Sequence, residues 1–393
     1  MNKLNVVYNQ NYDIPLPRGH RFVGTKFSDL YNFIKDSNLF KDLIIHQSVS
    51  APIKDVQNVH DSEYVMNVKK GNLLRNQERR INLPWSERLA MRSFLAIQGT
   101  LQTSYLALEN GVACHLAGGT HHAFKDCGSG FCVFNDLAFA SINLLNQKKV
   151  NKILILDLDV HQGDGTASIC QNIDDIFTCS IHCKNNFPFD KQTSDLDIPI
   201  DDGIGDDEYI NILKNTLDRV DAKFEPDIVF YDAGVDVHYN DDLGNLNLSD
   251  EGLKKRDEIV CNYFKDKKIP LCTVIGGGYS KSRKELASRH FSLFNTVFEV
   301  YFWFFELTLW INPKIIAIAN RIFRNSLYKK GIKPTVTACS KPIKNDRWLK
   351  PHKNIIRAPI KIVRDNLIKL VLTSFLKMKE MKKAATTMPY KNP

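Results

Sequence analysis

The 393-residue sequence predicts an α/β protein: one large domain with a central, mainly parallel β-sheet flanked by helices, then a basic, partly helical C-terminal extension. Three observations carry this expectation. From about residue 112 onward, short aliphatic runs alternate with stretches of helical periodicity, as strand–helix–strand units require. Among these runs, Ile153 to Leu156 is aliphatic throughout, which suits a strand covered on both faces. Five of them end in polar or glycine-rich runs: His121 and His122; Asp157, Asp159 and His161; Ser180 and His182; Asp236; and Gly276 to Tyr279. Open α/β sheets bind ligands beyond the carboxyl ends of their strands, so these distant residues are expected to meet. The expected boundaries are 1–299 for the domain and 300–393 for the extension.

The elements follow in order. Asp13-Ile-Pro-Leu-Pro-Arg-Gly-His-Arg-Phe is an extended opening loop, fixed by its prolines, and a helical segment runs from Lys26 to Ser37. Asp61 to Gly71 and Ser86 to Asn110 read as helices, with Trp85, Leu89, Met91, Phe94, Leu95 and Ile97 as core positions. Val112 to Leu116 is a strand leading into Ala117-Gly-Gly-Thr-His121-His122. Asp136 to Gln147 is a helix, Lys152 to Leu158 a strand, and Ile176 to His182 another. Asp206 to Val220 is a helix with Asp206 as its cap. Asp227 to Tyr231 is a strand, Ser249 to Phe264 a helix, Ile269 to Ile275 a strand and Lys284 to Val297 a helix.

Composition bounds the class. With 43% hydrophobic and 25% charged residues the chain is globular, with length for a sizeable core. Nine scattered cysteines without a Cys-x-x-Cys read as reduced thiols. Cys179 and Cys183 bracket His182 but lie in a strand pattern and are read as strand thiols. Met1 to Pro17 lacks an apolar run, so no secretory signal is expected and the protein is placed in the cytoplasm. Residues 300–393 carry 20 Lys and Arg against 4 Asp and Glu, a net +16 that leaves −7 on the rest. An acidic-leaning body therefore precedes a strongly basic tail.

The chemistry centres on Ile153 to Thr166, Ile-Leu-Ile-Leu-Asp-Leu-Asp-Val-His-Gln-Gly-Asp-Gly-Thr. In an extended chain Asp157, Asp159 and His161 share a side, and buried carboxylates with an imidazole want a divalent metal. Taken alone, the stretch also reads as a solvated strand end. Asp159 and His161 with Asp236 from another strand end make three ligands with a position left open, as a catalytic zinc site requires. Bound Zn²⁺ acidifies water and polarises a carbonyl. His121 and His122 can shuttle a proton, and Asp157 and Asp164 suit the role of orienting acceptors. Tyr279, after three glycines, can donate to a developing oxyanion. Singly, each has a bland reading: loop histidines, a glycine turn, a core tyrosine. No Lys-Ser/Thr follows the glycines as in a P-loop. Their shared place at strand ends points to metal-assisted amide hydrolysis.

The motifs Gly-Gly-Thr-His-His-Ala (118–123), Gly-Ser-Gly-Phe-Cys-Val-Phe-Asn-Asp (128–136), Ile-Leu-Asp-Leu-Asp-Val-His-Gln-Gly-Asp-Gly-Thr (155–166), Asp-Ala-Gly-Val-Asp (232–236) and Gly-Gly-Gly-Tyr (276–279) resemble the histone deacetylase superfamily, on the arginase/deacetylase fold. The likeness runs from about residue 10 to about 298 and looks most like the bacterial and class IV branch. The resemblance implies Asp159, His161 and Asp236 as zinc ligands, and His121 and His122 as catalytic histidines oriented by Asp157 and Asp164 respectively. It makes His122 the general base and Tyr279 the carbonyl-polarising group. It implies Gly130, Phe131 and Phe187 as walls of an acyl-lysine tunnel. It further implies a monovalent-cation site, K⁺, at Asp157 with the carbonyls of Asp159 and His161, plus Ser180 and Ile181. Ureohydrolases of the same fold use two metals and would want a second Asp-x-Asp; here Asp232 and Asp236 are four apart.

The implied substrate is an acylated lysine in a protein or peptide, with an acetylated polyamine or a long-chain acyl-lysine as alternatives. After Phe298 the resemblance stops. The apolar run Val300 to Pro313 is interrupted by Glu306 and Asn312-Pro313 and is expected to pack on the body. Lys361 to Met381 reads as an amphipathic helix that could meet a partner or an anionic surface. No specific nucleic-acid motif is recognised, and the sequence leaves oligomeric state open. The non-enzymatic reading is a scaffold acting through the basic tail.

Overall fold

The structure, a computed structural model, describes residues 3–303. Eight strands occur there: β1 (Leu4–Tyr8), β2 (Leu43–Gln47), β3 (Val112–His115), β4 (Ile153–Asp157), β5 (Ile176–Cys183), β6 (Leu196–Ile200), β7 (Ile228–Asp232) and β8 (Leu271–Val274). They form one sheet in the order β2-β1-β3-β8-β7-β4-β5-β6, with every neighbouring pair parallel. The four central strands β3, β8, β7 and β4 are buried along their whole length. That explains why their sequences show no alternation.

The helices are α1 (Lys26–Lys35), α2 (Ile53–Gln57), α3 (Ser62–Lys70), α4 (Arg75–Ile81), α5 (Glu87–Asn110), α6 (Asp136–Asn146), α7 (Asp164–Cys170), α8 (Asp206–Asp221), α9 (Asp250–Lys267) and α10 (Arg283–Phe298). Helices α5, α6 and α7 pack in sequence, and α5 lies on β1, β3 and β8. Helices α8, α9, α10 and α1 form a second packed row. Local chemistry sets the ends. Asp61, Ser86, Asn135, Ser249 and Ser282 accept from the first free amides of α3, α5, α6, α9 and α10. Gly71 and Gly111 close α3 and α5 in the left-handed region.

The predicted α/β sheet, and each helix and strand expected within residues 26–37 and 61–297, is present within a few residues. Several details differ. Asp206 does not cap α8; Gly205 occupies that position, and the Asp206 carboxylate accepts from the Ser249 amide (2.8 Å) and hydroxyl (2.5 Å). Met91, expected in the core, is 39% exposed, because it falls on the outer side of α5. Strands β1, β2 and β6 and helices α2, α4 and α7 were not anticipated. The eight cysteines among the described residues are free thiols, Cys179 and Cys183 lying buried in β5 as expected.

Beyond α10 the chain continues as a π-helical turn, Glu299–Trp303, whose Val300, Tyr301 and Phe302 pack against the core. No described helix is long and apolar enough to cross a membrane. The rest of the 300–393 extension, including the end of the apolar run and the helix expected over Lys361 to Met381, lies outside the described residues.

Candidate active site

Strand β4 ends at Asp157, and the chain turns there: the Leu158 amide donates to the Asp232 carbonyl (3.0 Å) and the Asp159 amide to Asp157 Oδ1 (3.1 Å). Asp157 and Asp159 both approach His121, at 2.7 and 3.8 Å. Asp157 Oδ2 meets His121 Nδ1 at 2.7 Å, while Asp159 and His161 turn towards Asp236. His161 Nδ1 lies 3.0 Å from Asp159 Oδ1 and 3.3 Å from Asp236 Oδ2. Backbone amides hold the remaining carboxylate oxygens: Gly277 N–H donates to Asp159 Oδ2 (2.7 Å) and Val160 N–H to Asp236 Oδ1 (2.9 Å).

The histidine pair comes from the loop after β3. Gly118 and Gly119 have φ of 86° and 75°, and a Cβ on Gly119 would lie 2.4 Å from the Gly276 Cα. Two strand-end loops cross there with no room for a side chain. Asp136, at the start of α6, gathers the loop by accepting from Gly119 N (3.1 Å), Thr120 N (2.6 Å) and Thr120 Oγ1 (2.6 Å). His121 and His122 then face each other, Nε2 to Nε2 at 3.1 Å. His122 Nδ1 meets Asp164 Oδ1 at 2.6 Å, so each imidazole has its own carboxylate.

The two histidines sit in opposite fields. Burial works against a charge on His121, but Asp157, Asp159 and Asp232 outweigh it and hold that imidazole well above its ordinary range. Burial, and then the neighbouring His121, push His122 down to about 4 against the pull of Asp164. His122 is therefore neutral near pH 7 and free to accept a proton. Tyr279 is held well above the usual phenol range by burial and by Asp236 and Asp159, so it is a donor.

A cavity of about 410 Å³ runs down to His122, His161 and Tyr279, with Gly130, Phe131 and Phe187 in its lining. Gly130 and Phe131 have φ of 52° and 67° and are pinned by donation to the Arg80 (3.2 Å) and Ile81 (2.8 Å) carbonyls. Phe187 stands edge-on to His122 with ring centres 4.9 Å apart, and Phe131 packs on Tyr279 at 5.7 Å. Tyr279 is oriented from behind, its amide donating to Asp241 Oδ2 at 2.7 Å. Ser180 lies beside Asp157 in the β4–β5 register, and Ile181 follows it.

Three participants had been given no role. Asp232 is paired in register with Asp157, fully buried, with neither oxygen hydrogen-bonded, and stands 3.8 Å from His121. Burial and Asp157 hold its carboxyl well above the usual range. Its place was visible only once β4 and β7 are known to be neighbours. Lys26, placed on a helix by periodicity, reaches inward to the Gly276 carbonyl (2.9 Å), and burial lowers it to about 8. With Arg92, Phe22 and Phe27 it lines an inner cavity of about 20 Å³ behind His121 and Tyr279. Asp136 was read only as a helix start.

The donor set fits a divalent cation. One nitrogen or oxygen each of Asp159, His161 and Asp236 lie within 4.8 Å of one another, all buried, and Asp236 Oδ2 has no hydrogen-bond partner. Two buried carboxylates held beside an imidazole, one oxygen orphaned, are a costly arrangement that a cation relieves. His121, Asp157 and Asp232 form a second such group, in which both Asp232 oxygens lack a hydrogen-bond partner.

A family model described as the histone deacetylase domain matches residues 20–293. The chain is 43% identical over 296 residues to an uncharacterised protein of Picosynechococcus sp., covering 75% of this chain and 99% of that one. It is 28% identical over 294 residues to histone deacetylase 2 of Arabidopsis thaliana (72% of this chain, 76% of the relative). It is 27% identical over 285 residues to histone deacetylase 1 of Homo sapiens (67% and 58%).

Proposed function

The chain belongs to the histone deacetylase family, which makes it an amide-cleaving hydrolase, and from that premise we propose that it removes the acyl group of an Nε-acylated lysine with one Zn²⁺ held by Asp159, His161 and Asp236. The observation that supports this most is that a neutral histidine, a raised tyrosine and His161 of the buried Asp-His-Asp set line one aromatic-walled cavity. When bound, the ion would polarise the substrate carbonyl and acidify water.

The chain's own groups do the rest. The lysine stem lies between Phe131 and Phe187, whose apolar faces suit its methylenes. His122, its Nδ1 committed to Asp164, takes the proton of the attacking water on Nε2, giving up the 3.1 Å contact of that nitrogen with His121 Nε2. His121, kept charged by its carboxylates, keeps His122 neutral beforehand. Tyr279 donates its hydroxyl proton in a hydrogen bond to the acyl oxygen as charge grows there. As the C–N bond breaks, the proton passes from His122 to the lysine amine, leaving free lysine and a carboxylate. K⁺ at Asp157, Ser180 and the carbonyls of Asp159, His161 and Ile181 would steady the β4 and β5 ends. The inner cavity of about 20 Å³ has room for about one water, which favours acetyl over a long acyl chain. Residues 1–299 form the catalytic body.

The full chain should deacetylate an acetyl-lysine peptide, lose turnover to a chelator and regain it with Zn²⁺. Calorimetry should show one Zn²⁺ per chain, lost in Asp236→Ala. His122→Ala should lower kcat by about 10²–10⁴-fold. Undiminished turnover in that variant, or a myristoyl-lysine peptide cleaved faster than its acetyl counterpart, would overturn the corresponding step.

A further inference from the structure

Resting on the lysine deacylase reading, we infer that the substrate lysine lies in an acidic segment of a peptide or protein, recognised by an arginine rim at the tunnel mouth. The mouth cavity is lined on one side by Arg21, Arg79 and Arg80, and on the other by Asn186, Phe189 and Leu243, with no carboxylate in its lining. All three arginines are exposed. The arginine ion pairs among the described residues belong to Arg256, Arg283 and Arg289 instead.

The rim is a built feature. Arg79 and Arg80 lie on α4, whose Arg80 and Ile81 carbonyls accept the Gly130 and Phe131 amides, so the backbone that carries both arginines is tied to the cavity wall. Arg80 also lies over the Phe124 ring, 4.8 Å from its centre. The adjoining cleft adds Arg75 to Arg79, with Glu78 as its single acid. Asp190 and Asp242 neighbour the opposite wall in sequence, but they are not among its lining residues. This concentration of positive charge stands on a body whose net charge is −7.

Charge of one sign at the mouth of a narrow cavity focuses the field on whatever enters. Carboxylates flanking the acyl-lysine would pair with the rim, and flanking lysines would meet like charge. An acetylated polyamine would leave its free ammoniums among guanidiniums with no acid to receive them. Phe189, 86% exposed, offers an apolar contact across from the arginines.

The test uses the full chain and three acetyl-lysine peptides that differ only in flanking residues: acidic, neutral or basic. Acetylated polyamine and an RNA oligonucleotide competitor are added. Expected is a kcat/KM about tenfold higher for the acidic than for the basic peptide, with the polyamine poorest. The ratio should fall towards one at high salt and in Arg79→Glu/Arg80→Glu. Neutral-peptide turnover with a ratio near one, or a ratio that persists in the charge-reversed variant, overturns the inference and leaves the deacylase reading standing. No turnover of any peptide overturns both. RNA that competes better than the acidic peptide, and does so only with Arg79 and Arg80 intact, assigns the rim to phosphate and overturns it too. Arg79→Gln/Arg80→Gln, which should lower the ratio as well, decides the matter if the charge-reversed variant fails to fold.

Discussion

Asp157 and Asp232 occupy one register position on adjacent strands, both buried, with a single imidazole between them. His121 is what makes that pair tolerable, and the pair is what keeps His121 charged. His122, one residue on, faces a single carboxylate and stays neutral. Two identical side chains thus acquire opposite states from their surroundings, which the sequence does not display. What it did display was residue type: the acids and histidines named from residues 121–164, Asp236 and Tyr279 come together, whereas His182 meets Ser180 Oγ at 3.0 Å instead. The roles were harder to read, because His121 and Asp236, which divide Asp157 from His161, come from other strand ends. Tyr279 carries a prediction at this scale. Tyr279→Phe removes one hydroxyl donor and should lower kcat by about 10²–10³-fold with KM little changed, measured on an acetyl-lysine peptide. Retained kcat would remove Tyr279 from the chemistry.

At the scale of elements, the loops beyond the strands hold the site, and glycines let them interlock. A Cβ on Gly276, at φ 60°, would lie 2.2 Å from Asp232 Oδ1 and 2.7 Å from the Gly234 Cα. The backbone neighbour has nowhere to go, so Gly276→Ala should cost about 3 kcal/mol and displace the Gly277 amide from Asp159. Melting temperature and turnover should both fall; if neither moves, the crossing is looser than described. The same scale shows where sequence reading stopped. The covered central strands are continuous aliphatic runs and were found. The edge strands β2 and β6 are only partly buried, and β6 carries Pro199, so neither has an all-apolar pattern. Helix α4, Arg-Asn-Gln-Glu-Arg-Arg-Ile, buries only Ile81 and shows no stripe.

For the molecule as a whole, buried neutral histidines tie stability to pH. His60 spans two segments, with Nδ1 on the Phe124 carbonyl (2.9 Å) and Nε2 accepting from the Asn135 amide (3.0 Å). Both bonds need the neutral ring, and burial lowers it to about 4. An unfolded histidine titrates near 6.5, so below that pH the unfolded chain takes up a proton that the folded chain refuses. The contribution of His60 is full above about 6.5 and is lost as pH falls towards 4. The stability gap between the unaltered chain and His60→Gln, measured by urea unfolding, should therefore narrow by about 2–3 kcal/mol between pH 7.5 and 4.5. A constant gap would mean that His60 is charged in the fold.

Strand β8 stands between β3 and β7, although it is the last of the eight to be made. Before Leu271 is synthesised, β2-β1-β3 and β7-β4-β5-β6 share no ladder, and each exposes a raw edge. The Asp-His-Asp set belongs to the second half-sheet and the histidine pair to the first. A growing chain can thus hold the Asp-His-Asp set and the histidine pair on separate pieces, and the site is assembled only when one late, four-residue strand joins them.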